Sequence, residues 1–160
     1  MKMYAESHHR AVENLIYEWA RLIDEDQVEA VTQLLLDDGR YTVQSKFNRD
    51  RQLPMAIIDA HSAAQLRDRI LSMRIANIYQ PHHYRHIISG VQIVGQDGDV
   101  LQVRSNFLVI RTMELDGDMK VFSTGQCQDE VVITPEGPKF KSRRFVYDSR
   151  IVETLLVIPL

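Results

Sequence analysis

The chain has 160 residues, 44% of them hydrophobic and 26% charged, and a formal net charge of −3. Such a length and composition suit one globular domain spanning 1–160, while the slightly acidic balance argues against nucleic-acid binding, which needs a basic excess gathered on one face. The single cysteine, Cys127, excludes an intrachain disulfide, and neither a secretory h-region nor an apolar run of bilayer length is found, so a cytoplasmic protein is expected.

Taken in order, the chain opens with a helix expected over Ser7–Asp24. Val12, Leu15, Ile16, Trp19, Leu22 and Ile23 recur at three- and four-residue spacing, with Ser7 as N-cap. A second helix is expected after Asp26, with Val28, Val31, Leu34 and Leu35 turned inward. Asp37-Asp38-Gly39 should stop it, and Tyr41-Thr42-Val43 should form a short strand. Gln44–Pro54 is polar without either period and reads as a loop. A third helix is expected over Asp59–Ile75, capped by Asp59, with Ala63, Leu66, Ile70 and Met73 on one face; Asn77–His83 is then a linker.

Four strands follow, over Tyr84–Val94, Leu101–Met113, Met119–Ile133 and Phe140–Val152. The connections contain Asp97-Gly98, Asp116-Gly117 and Pro135-Glu136-Gly137, which favour hairpins, so an antiparallel meander is expected. The order of elements implies an α+β domain with three helices on one face of a curved antiparallel sheet.

The cluster His82-His83-Tyr84-Arg85-His86 invites a metal. On a strand, however, His83 and His86 point to opposite faces and His82 lies roughly 13 Å from His86 at ~3.3 Å per residue, whereas ligands must converge within ~2.0–2.1 Å of one ion. A wet loop plus one buried, hydrogen-bonded histidine is the preferred reading, and His8 and His9 should be solvated. A Rieske centre needs two cysteines and two histidines, and Cys127 stands alone, mid-strand, as an inert thiol.

Arg104 and Asn106 share a strand face with Leu108 and Ile110, and Thr124, Gln126, Gln128 and Glu130 line up on the next strand. This polar ladder could line a cavity under the helices or meet another protein; the second is preferred. Lys139, Lys141 and Arg143 alternate along the last strand and read as a solvated edge or docking surface. The run Thr154–Leu160 is nearly all apolar and must be tucked into the fold or covered by a partner, which suggests oligomerisation.

Several segments together resemble the small (β) subunits of aromatic-ring-hydroxylating dioxygenases. They are Tyr17-Glu18, Leu22-Ile23-Asp24, Leu35-Leu36-Asp37-Asp38 followed by Tyr41, and Tyr84–Val91, which matches that family's Arg-His-hydrophobic-hydrophobic-Ser/Thr element. Ser105–Val109, Arg144–Ser149 and the terminal Leu-Val-Ile-Pro-Leu also match, so the likeness covers nearly the whole chain, nearest to partners of oxygenases acting on anthranilate, salicylate or benzoate.

The resemblance implies a cystatin-like cone, the fold of nuclear transport factors and ketosteroid isomerase. It also implies a non-catalytic assembly role in a multicomponent oxidoreductase of aromatic catabolism. The Rieske 2Fe-2S cluster and mononuclear iron would then belong to a partner α subunit, commonly in a complex of three α with three β subunits, or with the β subunit self-associating as a trimer. No catalytic, cofactor-binding or metal-binding residue is assigned to this chain. The alternatives are a stand-alone cone isomerase, dehydratase or small hydrolase using Tyr17, Asp24, His86 and Asp129, and a small-ligand-binding or scaffold domain.

Overall fold

In a computed structural model, which describes residues 5–152 and 156–160, helix α1 runs Glu6–Asp24 and buries the predicted apolar stripe from Val12 to Ile23. It starts at Glu6, one residue before Ser7, with Ala5 as N-cap and no side-chain cap, and Asp26 ends the turn beyond it in a left-handed conformation (φ 58°). The expected second helix is a 3₁₀ segment, Val28–Leu34. Its inward residues Val28, Val31 and Leu34 are spaced by three, the period at which 3₁₀ side chains eclipse.

Strand β1 is far longer than expected, Leu35–Ser45, and runs through Asp37-Asp38-Gly39 instead of starting after it. That triplet forms a bulge: Leu35 pairs with Phe140, and the next paired residue, Arg40, faces Ser142. Gly39 permits it, because a Cβ there would lie 2.8 Å from the Leu36 carbonyl oxygen and 2.9 Å from that of Phe140. The segment predicted as loop contains the end of β1 and a short helix α2, Lys46–Asp50. The Ser45 hydroxyl accepts the Asn48 N–H at 3.1 Å, and Lys46 pairs with Asp50.

Asp59 caps nothing; it lies in strand β2, Ile58–Ala60, and helix α3 spans Ala63–Ile75. The cap is Ser62, whose hydroxyl accepts the Gln65 N–H at 3.2 Å while Gln65 Oε1 accepts the His61 N–H at 2.7 Å. The meander comprises β3 His82–Asp97, β4 Val100–Met113, β5 Met119–Thr134 and β6 Gly137–Tyr147. Thus β3 begins inside the expected linker, and β6 stops short of Val152.

Sheet order is β2-β1-β6-β5-β4-β3. The meander pairs are antiparallel as expected, but β1 joins β6 in parallel, making β6 an interior strand. The core lies between helices and sheet. Trp19 of α1 stacks on Tyr41 at 5.3 Å between ring centroids and meets Phe140 edge-on at 5.7 Å.

Of the apolar tail, Thr154 and Leu155 lie outside the described residues. Leu156, Val157, Ile158 and Leu160 are buried in the chain's own core. The Leu160 main-chain oxygen accepts from Trp19 Nε1 at 2.8 Å and from the Tyr41 hydroxyl at 3.1 Å, and that hydroxyl accepts the Leu160 N–H at 2.9 Å. This stretch is covered by its own fold and does not itself call for a partner.

Candidate functional site

On the helix-covered side, the suspects for cone-enzyme chemistry sit in separate places. Tyr17 is 46% exposed on the outside of α1. Asp24, ending α1, holds the buried His86 of β3 through ring Nδ1 at 2.6 Å. Asp129 of β5 is buried elsewhere, its Oδ2 accepting from Arg143 Nη1 at 2.7 Å.

Arg143 corrects the expected solvated edge. A bulge at Lys141 (Glu130 faces Ser142, Val131 faces Phe140) turns Arg143 inward. There its guanidinium lies 5.0 Å from the Trp19 ring, 4.5 Å from Phe140 and 4.7 Å from Phe145. Burial pushes the Asp129 carboxyl up to about 6 even against the Arg143 charge, and it pushes the Cys127 thiol up to about 12, consistent with an unreactive core cysteine. Burial likewise raises the Tyr41 and Tyr84 hydroxyls well above their usual range. Rings pack around the Arg143 guanidinium in the core, while a pocket of about 250 Å³ lies beside Asp24 and Tyr84.

The histidines find different partners. His82 Nδ1 lies 2.8 Å from the Gln80 carbonyl oxygen, His83 Nε2 lies 3.7 Å from Glu114, and His86 meets Asp24. The buried, hydrogen-bonded histidine anticipated from sequence is therefore His86. Among the described residues, no group of three or more His, Cys, Asp or Glu could hold a metal ion.

The face turned away from the helices is different in kind. Strand alternation places Gln102, Arg104 and Asn106 of β4 there, with Gln126, Gln128 and Glu130 of β5 and Ser142 and Arg144 of β6. The register aligns them in rows: Thr42, Arg144, Gln128, Arg104 and Gln92 run across neighbouring strands from β1 to β3. Arg144, Gln128 and Arg104 of this row, with Asp38, Arg40 and Lys141, line an open groove of about 600 Å³. The polar ladder therefore does not line a cavity under the helices.

Farther along the same face, Leu108 and Ile110 lie beside Ile87 (52% exposed) and Val121 (58% exposed). A polar groove running into an exposed apolar patch is a surface suited to another protein. Alternation in the sequence could find β4 and β5 residues of this face. Arg144 escaped because the bulge at Lys141 reverses the phase of β6.

Comparison with known proteins decides the family. The model of the SnoaL-like domain matches residues 7–144. The anthranilate 1,2-dioxygenase small subunit of Burkholderia cepacia is 38% identical over 138 residues, 86% of this chain and 85% of that protein. This chain belongs to the small subunits of ring-hydroxylating dioxygenases.

A second member of that family, a terephthalate 1,2-dioxygenase terminal oxygenase β subunit of a Comamonas species, is 35% identical over 144 residues, 89% of this chain and 92% of that one. The crystal structure described as the β subunit of an aromatic-ring-hydroxylating dioxygenase from Novosphingobium aromaticivorans superimposes with a TM-score of 0.87 at 28% identity. The match covers 97% of this chain and 98% of that one. The six-stranded curved sheet with its helices is thus the SnoaL-like cone, as the resemblance implied. Among the described residues, no helix is long and apolar enough to cross a membrane.

Proposed function

We propose that this chain is the non-catalytic assembly subunit of a multicomponent oxygenase acting on an aromatic acid. The observation that carries the reading is the membership of the small-subunit family. The named acids of two relatives, anthranilate and terephthalate, support an aromatic carboxylate as the substrate of the whole enzyme.

In this reading residues 1–160 act as one unit in the cytoplasm and supply no catalytic, cofactor-binding or metal-binding residue. A larger α subunit holds the Rieske 2Fe-2S cluster and the mononuclear iron, in a complex of three α and three β subunits. What this chain supplies is a rigid sheet surface. Co-expression with the oxygenase α subunit, followed by pull-down, metal analysis and an absorption spectrum, tests it. A brown, iron-containing complex of both chains is expected. A colourless homo-oligomer that never retains the larger chain overturns the reading.

A further inference from the structure

The groove on the outer sheet face is lined by Arg104, Lys141 and Arg144 as well as by the carboxylates Asp38 and Glu130. Arg144 stands on the interior strand β6, between Thr42 and Gln128, and its Nε is buried without a hydrogen-bond partner. Arg104, in the same transverse row, is held by Gln92 Oε1 at 2.9 Å and 2.7 Å. That neutral amide orients the guanidinium without pairing its charge. Arg40, by contrast, is matched by a bidentate pair with Asp59 at 2.9 Å and 2.7 Å.

The groove therefore offers two arginines that no carboxylate among the described residues holds by a hydrogen bond, in a chain whose formal net charge is −3. They sit two strand spacings apart, about 10 Å at the backbone. One small carboxylate cannot bridge that gap; two carboxylates two to four residues apart, on one face of an extended segment and so ~7–13 Å apart, can. Beyond the arginines the same face becomes apolar at Ile87, Ile110 and Val121.

From this pattern we infer that Arg104 and Arg144 receive an acidic segment of the larger oxygenase subunit, whose neighbouring apolar side chains rest on the Ile87–Val121 patch. The inference rests on the assembly reading above and adds the place and the chemistry of contact. Guanidinium–carboxylate forks give the contact its register, and the apolar patch excludes water from its flank.

The test is retention of the co-expressed α subunit by the wild type, by Arg104→Glu and by Arg144→Glu, at low and high salt, with thermal melting as the folding control. Both positions are outside the core, so the variants should melt like the wild type. Each charge reversal is expected to weaken retention roughly tenfold or more, and wild-type retention should fall as salt rises. Wild-type binding that both folded variants share in full overturns this inference and leaves the assembly reading standing. Failure of the wild type itself to bind overturns both. If the reversals instead break self-association of the isolated chain, the face belongs to a second copy and the inference is wrong. Should a variant melt early, Arg104→Gln and Arg144→Gln replace it, with the salt dependence deciding.

Discussion

Asp24 holds His86 with both carboxylate oxygens: Oδ1 lies 2.6 Å from ring Nδ1, and Oδ2 accepts the His86 main-chain N–H at 2.9 Å. The pair ties the last residue of α1 to strand β3, which lies at the edge of the sheet, and it satisfies an edge N–H that would otherwise invite another strand. Because the histidine side chain is fully buried and the carboxylate nearly so, the bond is shielded from screening. Asp24→Ala should cost about 2–3 kcal/mol of folding stability, since it leaves the His86 main-chain N–H and the buried ring Nδ1 without their partner. Urea denaturation measures it, and an unchanged midpoint would show that the clamp contributes nothing.

The tail gives a second expectation. Removing Leu156–Leu160 exposes a groove that four buried apolar side chains filled and takes away the acceptor of Trp19 and Tyr41. At about 1.5–3 kcal/mol for each large apolar side chain, the truncated chain should lose most of its stability. Thermal melting of truncated and full-length chains, run beside size-exclusion chromatography, checks it. A truncated chain that melts normally but changes only its oligomeric state would contradict the intramolecular role found for these residues.

Asp129 and Arg143 predict a pH dependence. With its folded-state value raised from the ordinary 3.8 to about 6, the carboxyl binds its proton more tightly in the folded chain than in the unfolded one. Its favourable contribution is therefore complete below the unfolded value and is lost as pH rises through about 6. The stability of the wild type relative to Asp129→Asn should fall between pH about 4 and about 6. Exposed carboxylates such as Glu29 and Asp59, held low by Arg74 and Arg40, act in the opposite direction and cancel in that difference. A difference that stays flat across the window counts against the assignment.

Removing one partner of this buried pair is a separate matter. Arg143→Met strands a carboxyl in the core and gives up the contacts with Trp19, Phe140 and Phe145. A loss of about 3–5 kcal/mol in denaturant unfolding at neutral pH is expected. A loss below about 1 kcal/mol would mean that the core absorbs the change.

Gly125 is required for close approach of strands. It pairs with Tyr147, and a Cβ there would lie 2.0 Å from the Val146 carbonyl oxygen and 2.8 Å from the Tyr147 Cα. Both are backbone atoms that cannot swing aside, so Gly125→Ala must push β5 from β6. It should destabilise by about 1–3 kcal/mol, read as a lowered melting temperature; wild-type melting would show that the strands can shift freely.

By itself the sequence determined the kind of each major element. The stripe from Val12 to Ile23 can bury only as a helix, and the alternation along β4 and β5 around Asp-Gly turns can bury only as a meander. The order of family-like segments was equally legible, because such segments are local. What needed the tertiary structure was every feature set by residues distant in sequence. β1 extends through Asp37-Asp38-Gly39 because β6 offers it a parallel partner. Arg143 is a core residue because a bulge across from Val131 shifts the phase of β6. The tail is internal because Trp19 and Tyr41 hold Leu160 across 141 and 119 residues of chain. Periodicity reports which residues share a face; only the paired strands and the helices laid against them decide which face is the core.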